Sequence, residues 1–210
     1  VNRSDRYSDL ADIAKHTSYK QIFDLFHIVA SCRYCTFKHL HAVNHRVGNK
    51  KHLVNLVELG YLSLTDNKVF FTTPKTWYLL QAEGYNTDII HKTLEAKAPE
   101  HELDITTALL NIYKEPDFYA VIYPHFVTLI PDACIVYKKD DAHKIVFLEV
   151  ENEKPGWENY LNEKKKKYEE LGRNEEVYTV WWKKWHSLLK LPYCSIDQFS
   201  FSYRVVKNGR

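Results

Sequence analysis

No apolar run in this 210-residue chain approaches the length needed to cross a bilayer, and no signal-peptide pattern opens it. A membrane span and a secretory route are therefore not expected, and the chain reads as cytoplasmic. Cysteine is scarce: four thiols do not suggest a secreted disulfide framework in a protein this large. Methionine is absent altogether, including at the first position, which points to a trimmed or processed start. Nor is there a strong excess of either charge, since 29 Lys and Arg face 27 Asp and Glu. The small imbalance is uneven: residues 1–95 hold 12 basic against 9 acidic side chains, and the remainder hold 17 against 18. A surplus this small gives weak nonspecific affinity for nucleic acid unless the charge is clustered or the protein forms a homodimer. The length suits one large or two small domains, and the pattern changes between Tyr85 and Glu100, so domains are expected at 17–90 and 96–210.

What is present in the first part is helical periodicity. Tyr19 to Ala30 carries Ile22, Phe23, Leu25, Phe26 and Val29, an amphipathic pattern for a first helix. Thr36 is placed to cap a second, short helix through Val43. After a turn containing Gly48, Asn49 can cap a third helix in which Leu53, Val54, Leu56 and Val57 face inward and Gly60 supplies the stop. Tyr61 to Leu64, the turn Asp66-Asn67 and Lys68 to Thr72 make a β-hairpin, and Thr73-Pro74 opens a fourth helix ending at Gly84. Helix, helix, helix, hairpin, helix is a winged-helix order. In that arrangement the third helix enters the major groove by its N-terminal half and the hairpin touches phosphate. Arg46, Asn49, Lys50, Lys51, His52 and Asn55, with Lys68 on the hairpin, supply cations for phosphates and amides for base edges. The same residues would also suit the surface of a protein-binding domain. Cys32 and Cys35, followed by His39, His41 and His45, invite a zinc reading. Cys32, however, falls at the end of the first helix and Cys35 just before the Thr36 cap, so core packing is the expectation.

The second part carries the chemistry. Thr128 to Tyr137 reads as a strand, Asp140-Asp141 as a turn and Lys144 to Val150 as a second, nearly continuous apolar strand. Tyr119 to Tyr123 precedes them, and Val177 to Trp182 and Phe199 to Val206 read as further strands; Trp157 and Trp185 are expected to pack on helices. Alternation puts Ile145, Phe147, Glu149 and Glu151 on one face. Pro131-Asp132 and Glu149-Val150-Glu151 thereby place three carboxylates on adjacent strand ends, where they repel unless a cation sits between them, and hard oxygen ligands suit Mg²⁺ or Mn²⁺. Gly156 to Leu171 reads as a helix with Trp157, Leu161, Tyr168 and Leu171 on one stripe. Lys164 falls on that stripe, unlike Lys165, Lys166 and Lys167, and its ammonium could reach the acids to stabilise phosphate charge. The alternative is a lysine whose stem covers apolar surface while its head reaches water.

This pattern resembles the PD-(D/E)XK nuclease superfamily, with Asp132 as its aspartate and Glu149 as its second acid. The position that superfamily gives to lysine, two after the glutamate, is Glu151 here. Some members carry the lysine on the following helix, and Lys164 is similar to that arrangement. Many place a further acid on the helix before the strands. In His101 to Tyr113, Glu102 shares a face with Ile105, Leu109 and Ile112, whereas Asp104 does not, so Glu102 takes that role. Taken together, from Tyr19 to Trp182, the chain resembles the replication-relaxation family of plasmids and other mobile elements. The echoes are Leu56-Val57-Glu58-Leu59-Gly60-Tyr61, Thr72-Thr73-Pro74-Lys75 and His101 opening the later helix. The resemblance implies an α/β (α+β) protein: a winged helix followed by a restriction-endonuclease-like domain with a mixed central sheet. It implies DNA as a partner, with replication or mobilisation proteins beside it. The expected chemistry is Mg²⁺-dependent or Mn²⁺-dependent phosphodiester hydrolysis, with Asp132, Glu149 and Glu151 as metal ligands, Lys164 steadying the phosphate and Glu102 supporting them. A nonenzymatic DNA-binding factor using the same fold as a scaffold is the alternative, and a protein-binding adaptor the third.

Overall fold

The structure, a computed structural model, describes residues 7–87, 100–123, 131–140, 142–151, 156–173 and 199–207. It is mixed α/β with two sheets, one of three strands and one of four. Contacts divide the chain into two units, Val1–Thr106 and Thr107–Arg210. Among the described residues no helix is long and apolar enough to cross a membrane.

In the first unit a short 3-10 turn (Ser8–Leu10) and a single helical turn (Ala11–Ala14) lead into α1 (Tyr19–Cys32). Ser18 and Gln21 cap α1 reciprocally, each side chain meeting the other's backbone N–H. The apolar stripe read from the sequence is the buried face: Ile22, Phe23, Leu25, Phe26 and Val29 are all inside. Each large side chain so buried contributes roughly 1.5–3 kcal/mol. Arg33, at φ 65°, turns the chain sharply into β1 (Cys35–Thr36). Thr36 then caps α2 (Phe37–Val43), with His39 completing the box. Asn49 caps α3 (Lys50–Glu58), which ends before Gly60 at φ +75°. β2 (Leu62–Leu64) and β3 (Val69–Thr72) form the hairpin, and α4 (Pro74–Ala82) follows. The strand order is β1-β3-β2, all antiparallel. β1 is an addition to the elements expected: two residues carry no periodicity, and it forms because β3 offers an edge to pair with.

The turn between α2 and α3 is tight. Gly48 donates its N–H to the Asn44 carbonyl at 2.7 Å, and a Cβ on Gly48 would lie 2.3 Å from the Leu40 carbonyl oxygen. Any side chain there would force the two helices apart. Cys32 and Cys35 are buried, as core packing requires, and His39 accepts the Thr36 N–H through Nδ1.

The unit boundary falls within α5 (Glu100–Ile112). Ile105, Leu109 and Ile112 are buried along its length. In the first unit, Thr106 donates its hydroxyl to the Tyr34 carbonyl at 2.6 Å, tying the turn after α1 to this helix. The second unit contains β4 (Phe118–Ile122), β5 (Ala133–Lys139), β6 (Ala142–Glu151), α6 (Trp157–Arg173) and β7 (Phe199–Lys207). The order is β4-β5-β6-β7, antiparallel except for the parallel β6-β7 pair. A parallel neighbour requires a crossover, and α6 lies within that connection. β5 and β6 pair from Ala133–Leu148 to Lys139–Ala142, with Asp140 at φ 53° making the turn. The strand expected over Val177 to Trp182, Trp185 and the start of the strand expected from Thr128 lie outside the described residues.

Candidate functional site: an acid and lysine cluster, and the outer face of α3

The register of the β5-β6 hairpin determines the first site. Asp132 immediately precedes β5; its N–H donates to the Leu148 carbonyl at 3.1 Å and its Oδ2 accepts the Val150 N–H at 2.7 Å. Asp132 is thus fixed beside Glu149, although 17 positions separate them in the chain. Glu149 is fully buried within the apolar end of β6. An unpaired carboxylate there would be expensive, so the fold must supply donors. Both come from α6. Lys164 donates Nζ to Glu149 Oε2 at 2.5 Å, and Tyr168 donates its hydroxyl to Glu149 Oε1. The Tyr168 ring stacks on Phe147 with centroids 5.0 Å apart. Lys164 also lies 4.0 Å from Glu151 Oε1 and 5.1 Å from the Tyr160 ring centroid.

The electrostatics follow from burial. Desolvation raises the pKa of Glu149, the Lys164 and Tyr168 hydrogen bonds pull against it, and the neighbouring Asp132 charge raises it further. For Lys164 burial works against the ammonium, but the Glu149 carboxylate prevails and the net shift is upward. Burial and the Glu149 charge together hold the Tyr168 phenol well above its ordinary range. The site is therefore a buried carboxylate beside a second one, with the Lys164 ammonium as its counter-charge. Lys164 is turned inward as the helical stripe requires, while Lys165, Lys166 and Lys167 are exposed.

Glu102 and Glu151 each lie beside a cation. Glu102 gives its carboxylate to Arg33, whose Nη1 lies 3.2 and 3.3 Å from its two oxygens. Its face of the helix is the one the sequence indicates, but the guanidinium delivered by the turn after α1 takes its charge. Glu151 is on the expected strand face, with Oε1 4.0 Å from the Lys164 ammonium; among the described residues no group of three or more His, Cys, Asp or Glu side chains could hold a metal ion. Asp132 and Glu149 are left as a two-carboxylate pair. Tyr168 is the functional neighbour that sequence reasoning missed. Its position on the apolar stripe marks it as core, and only the hydroxyl, four residues beyond Lys164, could have suggested a second role.

The second candidate surface is α3. Asn49 and His52, both expected to face nucleic acid, are consumed by the turn itself. Asn49 Oδ1 accepts the His52 N–H at 2.9 Å and its Nδ2 donates to the Arg46 carbonyl at 2.5 Å. His52 is buried, with Nδ1 2.9 Å from the same carbonyl. The cap competes for the groups that would read bases, and it wins. Lys50 and Lys51 are exposed, Asn55 is half-buried, and Arg46 is exposed before the helix. Val54, expected inside, is turned outward and 43% exposed, whereas Leu53 and Leu56 are the buried pair. Lys50, Lys51, Val54, Asn55 and Glu58 line a shallow open depression along the helix. Lys68 stands exposed at the hairpin turn with φ 61°.

No family model, curated protein or solved structure matches this chain.

Proposed function

We propose that this chain is a DNA-binding protein of the replication-relaxation type, from a plasmid or other mobile element, whose second unit hydrolyses DNA phosphodiesters with Mg²⁺ or Mn²⁺. The first unit is then a winged helix: α1, β1, α2, α3, the β2-β3 hairpin and α4 follow the order that fold requires. The second is a PD-(D/E)XK-like domain around its mixed sheet. The observation that carries the reading is the meeting of Asp132, Glu149 and the helix-borne Lys164, with 2.5 Å between ammonium and carboxylate. Helical periodicity turns that lysine toward the apolar stripe, and its side chain is 15% exposed beside Glu149.

The donor chemistry fits a hard divalent ion. Asp132 works against the ionisation of Glu149, and a cation shared between them would relieve that repulsion. Mg²⁺ commonly takes one or two carboxylates and leaves its remaining positions to water and substrate phosphate, so a third protein acid is not required. The bonds from Lys164 and Tyr168 leave acceptor capacity on Glu149, because a carboxylate offers about four lone-pair directions. Bound there, the ion supplies Lewis-acid polarisation and acidifies water. The protein's own part is positional. Tyr168, stacked on Phe147, donates to the Glu149 carboxylate, Asp132 is pinned by the Val150 N–H, and Lys164 presents an ammonium where phosphate charge develops.

One observation favours the scaffold reading: both Glu149 oxygens already have donors within the chain, Lys164 and Tyr168. The decisive experiment is a metal titration followed by thermal melting and cleavage of single-stranded, duplex and branched DNA. The enzyme reading expects Mg²⁺ or Mn²⁺ to raise the melting temperature and to support cleavage, both lost in Asp132→Asn and Glu149→Gln. Stabilisation without cleavage on any substrate favours the scaffold. No response to millimolar metal, with or without DNA, refutes the metal site.

A further inference from the structure

Resting on the DNA-binding reading above, we propose that Val54 and Asn55 are the base-reading residues of α3 and that they select an A·T-containing site in the major groove of duplex DNA. One valine of α3 is turned away from the core. Leu53 and Leu56 are fully buried, so the helix has its core contacts, yet Val54 is 43% exposed on the opposite face. It lies one turn from Lys50 and Lys51 and one turn before Glu58. An aliphatic side chain in the middle of a charged face gains nothing from water. Its two methyl groups are suited to the C5-methyl group of thymine, the apolar feature of the major groove.

Asn55 stands beside it in the same depression. Unlike Asn49, whose carboxamide is spent on the cap, Asn55 makes no side-chain hydrogen bond with the described residues. A carboxamide offers one donor and one acceptor in a plane, the complement of adenine N7 and N6–H. Glu58, on the same face, is an acceptor only. It repels phosphate and the O6 and N7 acceptors of guanine, and it accepts from the amino groups of adenine or cytosine. Lys50 and Lys51 stand at the start of the helix, where cations meet the phosphate backbone and set the docking register without reading sequence. The division of labour is legible along α3: charge at its start, methyl and carboxamide in the middle, an excluding acid near its end.

The test is selection of sites by the full-length chain from a randomised duplex pool at low salt, followed by affinity measurement across salt concentrations. Wild-type protein is expected to enrich an A·T pair. Val54→Ser should lose the thymine preference, and Asn55→Ala, which removes the carboxamide from adenine, should cost roughly tenfold or more in discrimination at its base pair. Neither variant alters charge, so neither should change the salt slope, and thermal melting of both checks that the fold is kept. Lys50→Ala and Lys51→Ala should weaken all sequences alike. Duplex binding with no base preference, or with a preference that both variants retain, overturns this inference alone. Absence of duplex binding by the wild-type chain overturns the DNA-binding reading and this inference with it.

Discussion

Replacing Lys164 with Met removes the counter-charge of a buried acid while keeping the volume of the stem. Glu149 is fully buried and the Lys164 side chain is 15% exposed, so the pair belongs with buried ion pairs, for which loss of one partner costs about 3–5 kcal/mol. The residual exposure of Lys164 argues for the lower end, about 3 kcal/mol. At roughly 2–4 °C per kcal/mol for a chain of this size, that is a fall of about 6–12 °C in melting temperature. The cost should depend on pH. Glu149 already titrates above its ordinary value near 4.5, through burial and the Asp132 charge, and loss of the ammonium pushes it further up. A carboxyl whose folded pKa exceeds its unfolded one retains its proton longer in the folded state. Stability therefore falls as pH rises from the ordinary Glu value through the raised one, then levels off. Thermal melts of Lys164→Met at pH 5 and pH 8 should show the larger loss at pH 8. Adding Glu149→Gln should restore most of it, because the uncompensated charge is gone. Lys166→Met, on the exposed face, should stay within about 0.5 kcal/mol at both values. Equal effects of Lys164→Met and Lys166→Met, or a Lys164→Met loss that is the same at both pH values, would refute the ion pair.

Gly48→Ala should be among the most damaging small substitutions in the first unit, since its Cβ would meet backbone at Leu40 and Asn44 rather than movable side chains. A loss of about 1–3 kcal/mol or more is expected in denaturant titration, and a neutral result would refute the close packing of α2 on α3. The double change Lys50→Ala and Lys51→Ala should reduce the dependence of log affinity on log salt by about two phosphate contacts. An unchanged slope in a salt titration would remove α3 from the nucleic-acid interface.

The sequence by itself determined the elements and the faces they hide. The 3.6-residue stripe of α1, the caps at Thr36 and Asn49, the stops at Gly60 and Gly84 and the strands either side of Asp140 are local features that survive in the folded chain. Period alone also turned Lys164 inward while leaving Lys165, Lys166 and Lys167 outside. Pairing across distance was not legible. Glu102 could be placed on its helix face, but not assigned to Arg33, 69 positions earlier, because the left-handed turn that aims Arg33 has no periodic signature. Asn49 and His52 have the chemistry of base readers, and only the close turn at Gly48 shows that their hydrogen bonds are already made. Hydrophobicity assigns Val54 inward, yet the buried side of α3 is occupied by Leu53 and Leu56. Tyr168 looked like packing, and it is packing, but its hydroxyl reaches Glu149 because the parallel crossover returns α6 over β6. Local pattern sets which side of an element is dry. Which polar group meets which is decided when buried charge must find a donor, and the tertiary fold chooses the donor.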